Sequence, residues 1–445
     1  MEDAGDPSKE RVHLSRGGLD IAVPVTASTL GPNGLLIEDF GDTFDLLAYD
    51  PTLKSTALWA SKITYLDSAK GELFCRGYSI RQLAAHASYL EVAYLLLNGE
   101  MPGDQAKRAF EADIRRPTML HEQLRNFFNG FRRDAHPMAV LCSVVGAMSA
   151  FYGDSLDVNN EAHRQLSISR ILAKLPTVAA WSRKYAVGQP FVYPSNKLSF
   201  TDNFLYMLKA VPPENLDVDP DHSRALGQIL IVHADHELSP STSTVRMAGL
   251  TGANPFASIA AGLASFWGPR HGGADGAVLS MLAEIRRPER VKDYLAKRVV
   301  EQSFSSMPGV GHPLYGPRDP RAAVMRGVFE RLLRAGDRFS AASVDPTVVE
   351  TAVEFVETIE QTDEFVRRGL LPNVDFYTSL NLYMIGFPAD MFTVVLAVAR
   401  AAGWLSHWNE MATSFEPGRR ARQIYIGPAP RDLFLSTRED RRSEA

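Results

Sequence analysis

The pattern of apolar and polar positions changes once along the chain, near residue 50. Residues 19–50 contain short apolar runs of the kind that form strands, separated by glycine, proline and aspartate turns. These runs lie at residues 21–25, 34–37 and 44–47. Beyond residue 50 the apolar residues recur at helical spacing, as in residues 89–97. The pattern therefore predicts a β-rich N-terminal element at residues 19–50, followed by helices to about residue 425.

Several helix ends are marked by their own capping residues. Asp319-Pro320 and Asp345-Pro346 each place an N-capping acid before a proline at the first helical position, and Gly336 and Gly369 are predicted stops. The helix that follows Asp319 carries Arg321 in its first turn, where a cation opposes the helix dipole by roughly a few tenths of a kcal/mol. Arg321 is therefore expected to serve another purpose.

The composition is that of a soluble globular protein. The chain has 445 residues, 45% hydrophobic and 22% charged, which is enough for two to three domains' worth of core. A net charge of -5 without a basic stripe argues against nucleic acid as a partner. Cys75 and Cys142 each lie in an apolar run, which indicates reduced core residues rather than a disulfide. Apolar runs such as residues 392–398 are far too short to span a membrane.

The two ends of the chain are polar. Residues 1–18 are predicted to be a disordered arm, and residues 428–445 a polar tail. The N-terminal segment has acids among its bases and no apolar core, so it matches neither a secretory signal nor an acid-poor transit peptide. The sequence therefore predicts a cytoplasmic protein.

One histidine is distinguished by its position after a helix. Residues 255–267 form an apolar, alanine-rich run that predicts a buried helix, which Gly268-Pro269 ends. His271 then emerges on a tight loop, and the two glycines after it let backbone approach whatever the imidazole faces. A histidine in this position is more often structural than catalytic, so its significance depends on the motifs beside it in the sequence.

Those motifs follow one another over the second half of the chain. They are HADHE at 233–237, STSTV at 241–245, GANPF at 252–256, GPRHGGA at 268–274, GH at 311–312, DPRA at 319–322, PNVDFY at 372–377 and GWLSHW at 403–408. Together they closely resemble the citrate synthase family, over roughly residues 19–427. Within that family, the N-terminal element and residues 131–137 and 155–160 resemble the longer form known from Gram-negative bacteria.

The resemblance implies an all-α, dimer-forming fold in which a large and a small helical domain close over the substrates. By analogy, residues 51–274 and 386–427 would form the large domain, and residues 275–385 the small one. The short β-rich element would precede them.

The resemblance also implies a reaction, the Claisen condensation of an acyl-CoA with oxaloacetate followed by hydrolysis of the thioester. A thioester α-hydrogen is a very weak acid, so a base and an oxyanion donor must act together. Asp375 matches the family's base, His271 the donor to the thioester oxygen, and His312 the residue that polarises the ketone. An isolated aspartate after Pro372-Asn373 would suggest a helix N-cap instead, and the surrounding motif favours the base.

The oxaloacetate dianion calls for forked guanidinium donors. Arg321, Arg400 and Arg420 match the family's three arginines, and the last would reach across from the second subunit unless it is a solvated surface residue. Arg400 lies on an otherwise apolar segment, where a charge without a partner is costly. His236 matches a substrate-binding histidine, and His233 would orient it. Their spacing could indicate a metal, but no further ligand motif supports one, so neither a metal nor a redox cofactor is expected.

The expected acyl-CoA end departs from the family's usual residues. The loop after His312 lacks two usual cations, and Leu396 replaces a usual phenylalanine near the acyl methyl, which would leave room for a longer chain. The residues assigned to this pocket are Leu396, Pro313, Leu314, Tyr315 and Arg318. Elsewhere, Ser239 replaces a usual asparagine near the oxaloacetate loop, Asp275 replaces another after His271, and Ser379 replaces a usual glycine just past Asp375. Neutral drift is the alternative, because one pocket methylene is worth only ~1–3 kcal/mol of discrimination.

A regulatory site is a further hypothesis, since Gram-negative-type members are often inhibited by NADH far from the catalytic centre. The residues that match that site are Arg116, Tyr152, Arg170, Lys174 and Asn196. Pro117 and Pro213 replace its usual histidine and cysteine, so NADH regulation stays open.

Several functions also stay open. The product is citrate from acetyl-CoA, or a 2-alkylcitrate from a longer acyl-CoA, including 2-methylcitrate from propionyl-CoA. Alternatively, the chain is a non-catalytic ligand-sensing homologue, although a binding module needs no base such as Asp375. The expected partners are oxaloacetate, an acyl-CoA and further copies of the chain, in a homodimer or a larger assembly such as a hexamer.

Overall fold

The computed structural model describes residues 10–212, 216–272, 275–304, 307–312, 314–315, 319–335, 344–414 and 421–430. The chain divides into two compact units. One comprises residues 1–60 with 418–445, and the other residues 61–417. The division of the helical part at residues 274 and 385 stays a prediction.

The first unit contains a three-stranded antiparallel sheet of order β1-β2-β3. Its strands are β1 (Arg11–Arg16), β2 (Leu19–Thr26) and β3 (Gly34–Leu35). Gly17 and Gly18 join the first two strands at φ 59° and 85°, the left-handed conformations of a two-residue hairpin turn. The disordered arm predicted for residues 1–18 is therefore wrong for residues 11–18. The strand there has only Val12 and Leu14 as apolar residues, too few for a clear alternation.

A short helix, α1 (Phe40–Phe44), follows in the same unit. The strand predicted at residues 44–47 is therefore wrong. Phe44 is the buried end of this helix, and Asp45 leaves it in the left-handed conformation at φ 50°. An apolar run this short does not distinguish the strand period from the helix period.

The second unit begins with another antiparallel sheet, of order β4-β5-β6. The strands are β4 (Thr64–Asp67), β5 (Glu72–Cys75) and β6 (Tyr78–Ser79). The sequence predicted only helices in this region, because strands of two to four residues carry almost no period-2 signal.

Helices make up the rest of the described second unit, as expected. They are α2 (Ile80–His86), α3 (Tyr89–Asn98), α4 (Asp104–Arg115), α5 (Glu122–Phe128), α6 (Pro137–Phe151), α7 (Glu161–Ala186), α8 (Phe200–Lys209), α9 (Pro220–Val232), α10 (Pro240–Gly249), α11 (Pro255–Phe266), α12 (Asp275–Ile285), α13 (Val291–Val300), α14 (Pro320–Ala335), α15 (Pro346–Gln361), α16 (Asp363–Arg368), α17 (Val374–Met384) and α18 (Phe392–Thr413). The predicted starts of α14 and α15 and the stop of α16 at Gly369 are confirmed, whereas Gly336 lies outside the described residues.

The core of this unit is organised around α18, which lies against α3, α7, α9, α10 and α11. Because neighbours surround it, α18 is apolar on all faces, including the fully buried Trp404 and Trp408. The helical stretch Ala389–Thr413 is long and apolar enough to cross a membrane, but 89% of its most apolar window is buried inside the protein. This is what a core helix requires, and it places Arg400 deep inside the molecule.

Candidate active site

His271 lies on the loop that leaves α11, as predicted. The loop turns back tightly, because the N–H of Gly272 donates to the carbonyl of Phe266 at 3.0 Å. A Cβ at Gly272 would lie 2.6 Å from the Phe266 ring, so only glycine fits there. The side chain of Thr393 on α18 donates to the Gly272 carbonyl at 3.0 Å. The loop is thus fixed between two core helices.

Ser241 determines which ring nitrogen of His271 carries the proton. The Ser241 N–H points at Nε2 of His271 from 3.3 Å, and its hydroxyl lies 2.8 Å from the same atom. Trp404 donates its indole N–H to that hydroxyl at 3.1 Å, so the hydroxyl hydrogen is available for His271. Burial, with Arg400 nearby, lowers the pKa of His271 to about 4. The ring is therefore neutral, with Nε2 as acceptor and the proton on Nδ1.

Three N–H donors face the ring nitrogens of His312, more than a neutral imidazole can accept hydrogen bonds from. Its Nδ1 faces the backbone N–H groups of Leu314 and Tyr315 at 3.1 and 3.3 Å, and Nη2 of Arg321 lies 3.2 Å from its Nε2. Burial, together with Arg321, lowers the pKa of His312 to about 4, so the ring is neutral and has one acceptor nitrogen. Nδ1 serves the backbone, which leaves Nε2–H beside the guanidinium. Two donors thus face the same space, where an acceptor oxygen would satisfy both.

Arg321 is held by the acid that caps its own helix. Its Nε and Nη2 donate to the two carboxylate oxygens of Asp319 at 3.1 and 2.9 Å, and its backbone N–H donates to the same carboxylate at 2.9 Å. Both side chains are buried. This bidentate pair explains a cation in the first turn of a helix and presents Nη2 towards His312.

Arg400 is a buried cation in α18, only 5% exposed. Its Nε donates to the carbonyl of His233 at 2.8 Å, and Nη1 donates to Oγ of Ser239 at 3.4 Å. Burial lowers its pKa to about 10, which still leaves it charged at neutral pH. Neutral oxygens bind it here, so a carboxylate ligand would be a favourable further partner.

Asp375 stands in the first turn of α17, but it is not the N-cap. That role belongs to Asn373, whose Oδ1 accepts from the N–H groups of Asp375 and Phe376 at 2.9 and 3.2 Å. The Asn373 amide also donates to the carbonyl of Gly311 at 2.6 Å, which ties the start of α17 to the loop of His312. Burial raises the pKa of Asp375 above its ordinary value, although Arg321 and Arg400 oppose the shift. A desolvated carboxylate of this kind is a stronger base than one in water.

The two histidines after α9 point to different partners. Nε2 of His233 lies 3.0 Å from Oγ1 of Thr378 on α17, and Nε2 of His236 lies 3.1 Å from the hydroxyl of Tyr315. Burial lowers the pKa of both well below the ordinary value, so both rings are neutral. Within the described residues no cluster of three or more His, Cys, Asp or Glu could hold a metal ion.

A buried polar network behind these histidines was not anticipated. Nε2 of His407 lies 3.3 Å from the carboxylate of Asp235, and Arg246 donates to Glu410 at 2.9 Å and lies 3.4 Å from Nδ1 of His407. The only sequence signal was polar residues at otherwise apolar positions of α18, together with the aspartate of the HADHE motif. The network supports the turn that carries the two histidines.

The residues that the sequence assigns to the acyl-CoA pocket make fewer polar contacts. Leu396 is 3% exposed and lies on the face of α18 that also carries Thr393 and Arg400, one turn to either side. Ser379 is buried, and its hydroxyl donates to the carbonyl of Asp375 at 2.7 Å. Leu314 is 54% exposed, as a pocket-rim residue can be. Pro313, Arg318 and Arg420 lie outside the described residues, as does the side chain of Asp275.

Tyr315, which the sequence assigns to the acyl-CoA pocket with Leu314, is only 3% exposed and contacts His236, His312 and Arg321. Those are the residues expected to bind oxaloacetate.

Three of the residues matched to an NADH site lie together. The guanidinium of Arg170 lies 4.9 Å from the Tyr152 ring centroid, and the Lys174 ammonium 5.0 Å from it. Arg170 donates to both carboxylate oxygens of Asp154, one at 2.9 Å. Lys174 donates to the carbonyls of residues 117 and 119, and burial lowers its pKa to about 8. The other two matched residues are Arg116, at the end of α4, and Asn196, on an exposed turn; Pro213 lies outside the described residues.

Comparison with known proteins identifies the family and the fold of the chain. The family model described as citrate synthase, C-terminal domain, matches residues 52–422. The chain is similar to the solved citrate synthase of Pyrobaculum aerophilum, with 29% identity over 86% of this chain and 93% of that one and a TM-score of 0.76. It is similar to that of Thermotoga maritima, with 25% identity, 87% and 98% coverage and a TM-score of 0.71.

A third similar structure is the citrate synthase of Thermoplasma acidophilum in a ternary complex with carboxymethyl coenzyme A and oxaloacetate. The identity is 24%, the coverage 86% of this chain and 97% of that one, and the TM-score 0.76. At this identity the likeness shows the fold. The mostly helical fold expected from the sequence is confirmed.

Proposed function

This chain belongs to the citrate synthase family, and on that premise we propose that it condenses an acyl-CoA with oxaloacetate and then hydrolyses the thioester. The observation that carries the proposal is the protonation pattern of three groups that interact with the same two buried arginines, His271 with Arg400, His312 with Arg321, and Asp375 with both. His271 and His312 are neutral, with pKa values lowered to about 4, whereas the pKa of Asp375 is raised. Two neutral donors and a strengthened base are what enolate chemistry requires.

The first step is removal of the thioester α-proton by Asp375. Negative charge then develops on the thioester oxygen, where Nδ1–H of His271 donates. Because Ser241 occupies Nε2 of His271, the donor atom is already selected before the substrate binds. A preorganised donor of this kind lowers the barrier without reorganisation during the reaction.

The second step forms the carbon–carbon bond. The enolate carbon attacks the ketone of oxaloacetate, whose oxygen takes the proton of Nε2–H of His312 and becomes a hydroxyl. The proton that Asp375 took from the α-carbon balances this one, so His312 returns to its neutral form. Water then hydrolyses the thioester and releases free CoA thiol. Neither step needs a metal or a redox cofactor.

The carboxylates of oxaloacetate are proposed to lie between Arg321, Arg400 and His236. Two buried guanidinium groups support an anionic ligand: Arg400 has only neutral oxygens as hydrogen-bond partners, and Arg321, paired with Asp319, presents Nη2 beside His312. Arg420, reaching from the second subunit of a homodimer, is the proposed third arginine.

For the acyl group, we propose that a chain longer than acetyl is accepted, so that the product is a 2-alkylcitrate. Leu396 supports this, because it lies one turn from Arg400 on the same face of α18 and is smaller than the phenylalanine usual in the family. Acetyl-CoA, giving citrate, and propionyl-CoA, giving 2-methylcitrate, are the alternatives that the same catalytic groups would serve.

The test is release of free thiol from a series of acyl-CoA thioesters of two to eight carbons, with and without oxaloacetate. Asp375→Ala is the control, and it should release no thiol above background. A kcat/KM that is highest for acetyl-CoA by about tenfold or more would show that the enzyme is a citrate synthase. Leu396 would then be a neutral substitution without effect on the choice of acyl-CoA. Absence of oxaloacetate-dependent release at every chain length would contradict the reaction itself.

A further inference from the structure

Tyr315 touches three groups of the proposed oxaloacetate site at once. Its hydroxyl lies 3.1 Å from Nε2 of His236, and its ring centroid lies 5.1 Å from that of His312. The guanidinium carbon of Arg321 lies 5.6 Å from the same centroid, within reach of a cation–π contact. The side chain is 3% exposed, so these contacts are made in the protein interior.

The phenol is suited to hold a neutral histidine. Burial raises the pKa of the Tyr315 hydroxyl well above its ordinary value, so it keeps its proton at neutral pH. A neutral imidazole has one donor and one acceptor nitrogen, and a protonated phenol can complement either. The bond to Nε2 therefore orients the ring of His236 whichever of the two is the donor.

The backbone of Tyr315 contributes as well. Its N–H points at Nδ1 of His312 from 3.3 Å, on the side of the ring opposite to Arg321. The same residue thus keeps Nδ1 of His312 as the acceptor and leaves Nε2 to carry the proton. Side chain and backbone act on two different histidines.

We infer that Tyr315 is a positioning residue for oxaloacetate, holding His236 by its phenol and Arg321 by its ring, rather than part of the acyl-CoA pocket. This inference rests on the proposed function. A residue that holds oxaloacetate ligands should affect the binding of that substrate and leave the binding of the thioester nearly unchanged.

Two variants separate the phenol from the ring. Tyr315→Phe removes the hydrogen bond and keeps the aromatic face, and we expect the KM for oxaloacetate to rise about 3- to 10-fold, the effect of one hydrogen bond. Tyr315→Leu removes both and should raise it further. In both variants the KM for the acyl-CoA should stay within about twofold, since no contact to that end is lost. The matched control is Tyr185→Phe, which deletes a phenol that donates to the carbonyl of Phe131 at 2.8 Å elsewhere in the fold.

The outcomes are distinct. A rise in the KM for the acyl-CoA alone would mean that Tyr315 belongs to the acyl-CoA pocket and would overturn the inference. An unchanged or lower KM for oxaloacetate would show that the phenol does not position His236. Calorimetric titration with oxaloacetate alone separates this inference from the function on which it rests. Wild-type protein that binds no oxaloacetate would overturn both, whereas equal affinity in wild type and Tyr315→Phe would overturn only the inference.

Discussion

The proposed oxaloacetate end and the proposed acyl end of the candidate active site are built on different physical principles. At the oxaloacetate end, Arg321, Asp319, His312 and His236 form directional contacts between 2.9 and 3.3 Å with one another or with Tyr315. At the acyl end, Leu396 is bounded by packing alone. A charged ligand needs donors at fixed positions, whereas an apolar chain needs only volume.

This difference has a consequence for substrate choice. Changing one residue at the polar end leaves a buried partner without its bond, which costs more than the bond itself was worth. Changing Leu396 alters the space for a few methylene groups and leaves every hydrogen bond of the catalytic groups in place. The acyl end can therefore vary while the reaction stays the same.

The largest expected effect on activity is that of replacing the proposed base, Asp375. Asp375→Asn removes the proposed base and should lower kcat about 1000-fold with every acyl-CoA, because general base catalysis contributes roughly 10²–10⁴. The measurement is thiol release under saturating substrates. A loss confined to one chain length would mean that Asp375 shapes the acyl pocket rather than removes a proton.

The same variant should be more stable at neutral pH. Since burial raises the pKa of Asp375 in the folded protein, the unfolded chain ionises first as pH rises. The folded state therefore begins to lose stability near the unfolded pKa, and the loss is complete above the folded pKa. Asparagine cannot ionise and escapes this effect. We expect the Tm of Asp375→Asn to exceed that of wild type at pH 7 by about 1–3 °C, with the difference vanishing below about pH 4. Equal Tm values at pH 7 would contradict the raised pKa.

Next in size is the loss of a guanidinium. Arg400→Met should raise the KM for oxaloacetate about 100-fold and the KM for the acyl-CoA little, because charge-assisted hydrogen bonds to one carboxylate are lost. Arg183→Met is the control, since Arg183 forms a partly exposed ion pair with Asp390 at 3.5 Å. Equal increases in both KM values would mean that Arg400 supports the whole fold of the site rather than one substrate.

The sequence predicts a structural feature of this protein only when the residues that form it are close together along the chain. Helix starts such as Asp345-Pro346 depend on residues next to one another, so the sequence predicts them. The arginines proposed to bind oxaloacetate are assigned by their match to the family's arginines rather than by a local pattern. The bond between His236 and Tyr315 joins residues 79 positions apart, and no local pattern indicates such a contact. For the same reason the pair of Asp235 and His407 was missed.

The elements that prediction missed are short. Strands β1 and β4–β6 have six residues or fewer and pair with their neighbours across tight turns. Their stability comes from partner strands rather than from a long apolar face, so alternation along the sequence is weak. The start of α17 shows the same limit at the site: the sequence allows Asp375 as a helix cap, and the structure shows that Asn373 is the cap.

A smaller effect is expected at the apolar end. Leu396→Phe should reduce kcat/KM for the longer acyl-CoA thioesters about tenfold relative to acetyl-CoA, because the larger ring fills the space of one or more methylene groups. Leu396→Met, which conserves volume, is the matched control and should keep the wild-type preference within about twofold. The competing outcome, a uniform loss over all chain lengths in both variants, would show that Leu396 acts through core packing instead of chain length.

The smallest effect is expected from NADH. A dinucleotide needs unoccupied donors for its phosphates, but Arg170 already donates to both oxygens of Asp154, and the Lys174 ammonium is held by two backbone carbonyls. Both cations would have to exchange these partners for the ligand, so we expect the rate with NADH at up to millimolar concentration to stay within about twofold of the rate without it. Asp154→Asn weakens the competing pair at Arg170 and is the variant in which inhibition would first emerge. Strong inhibition of the wild-type enzyme, relieved by Arg170→Met, would show that these pairs open readily and that the remote site is functional.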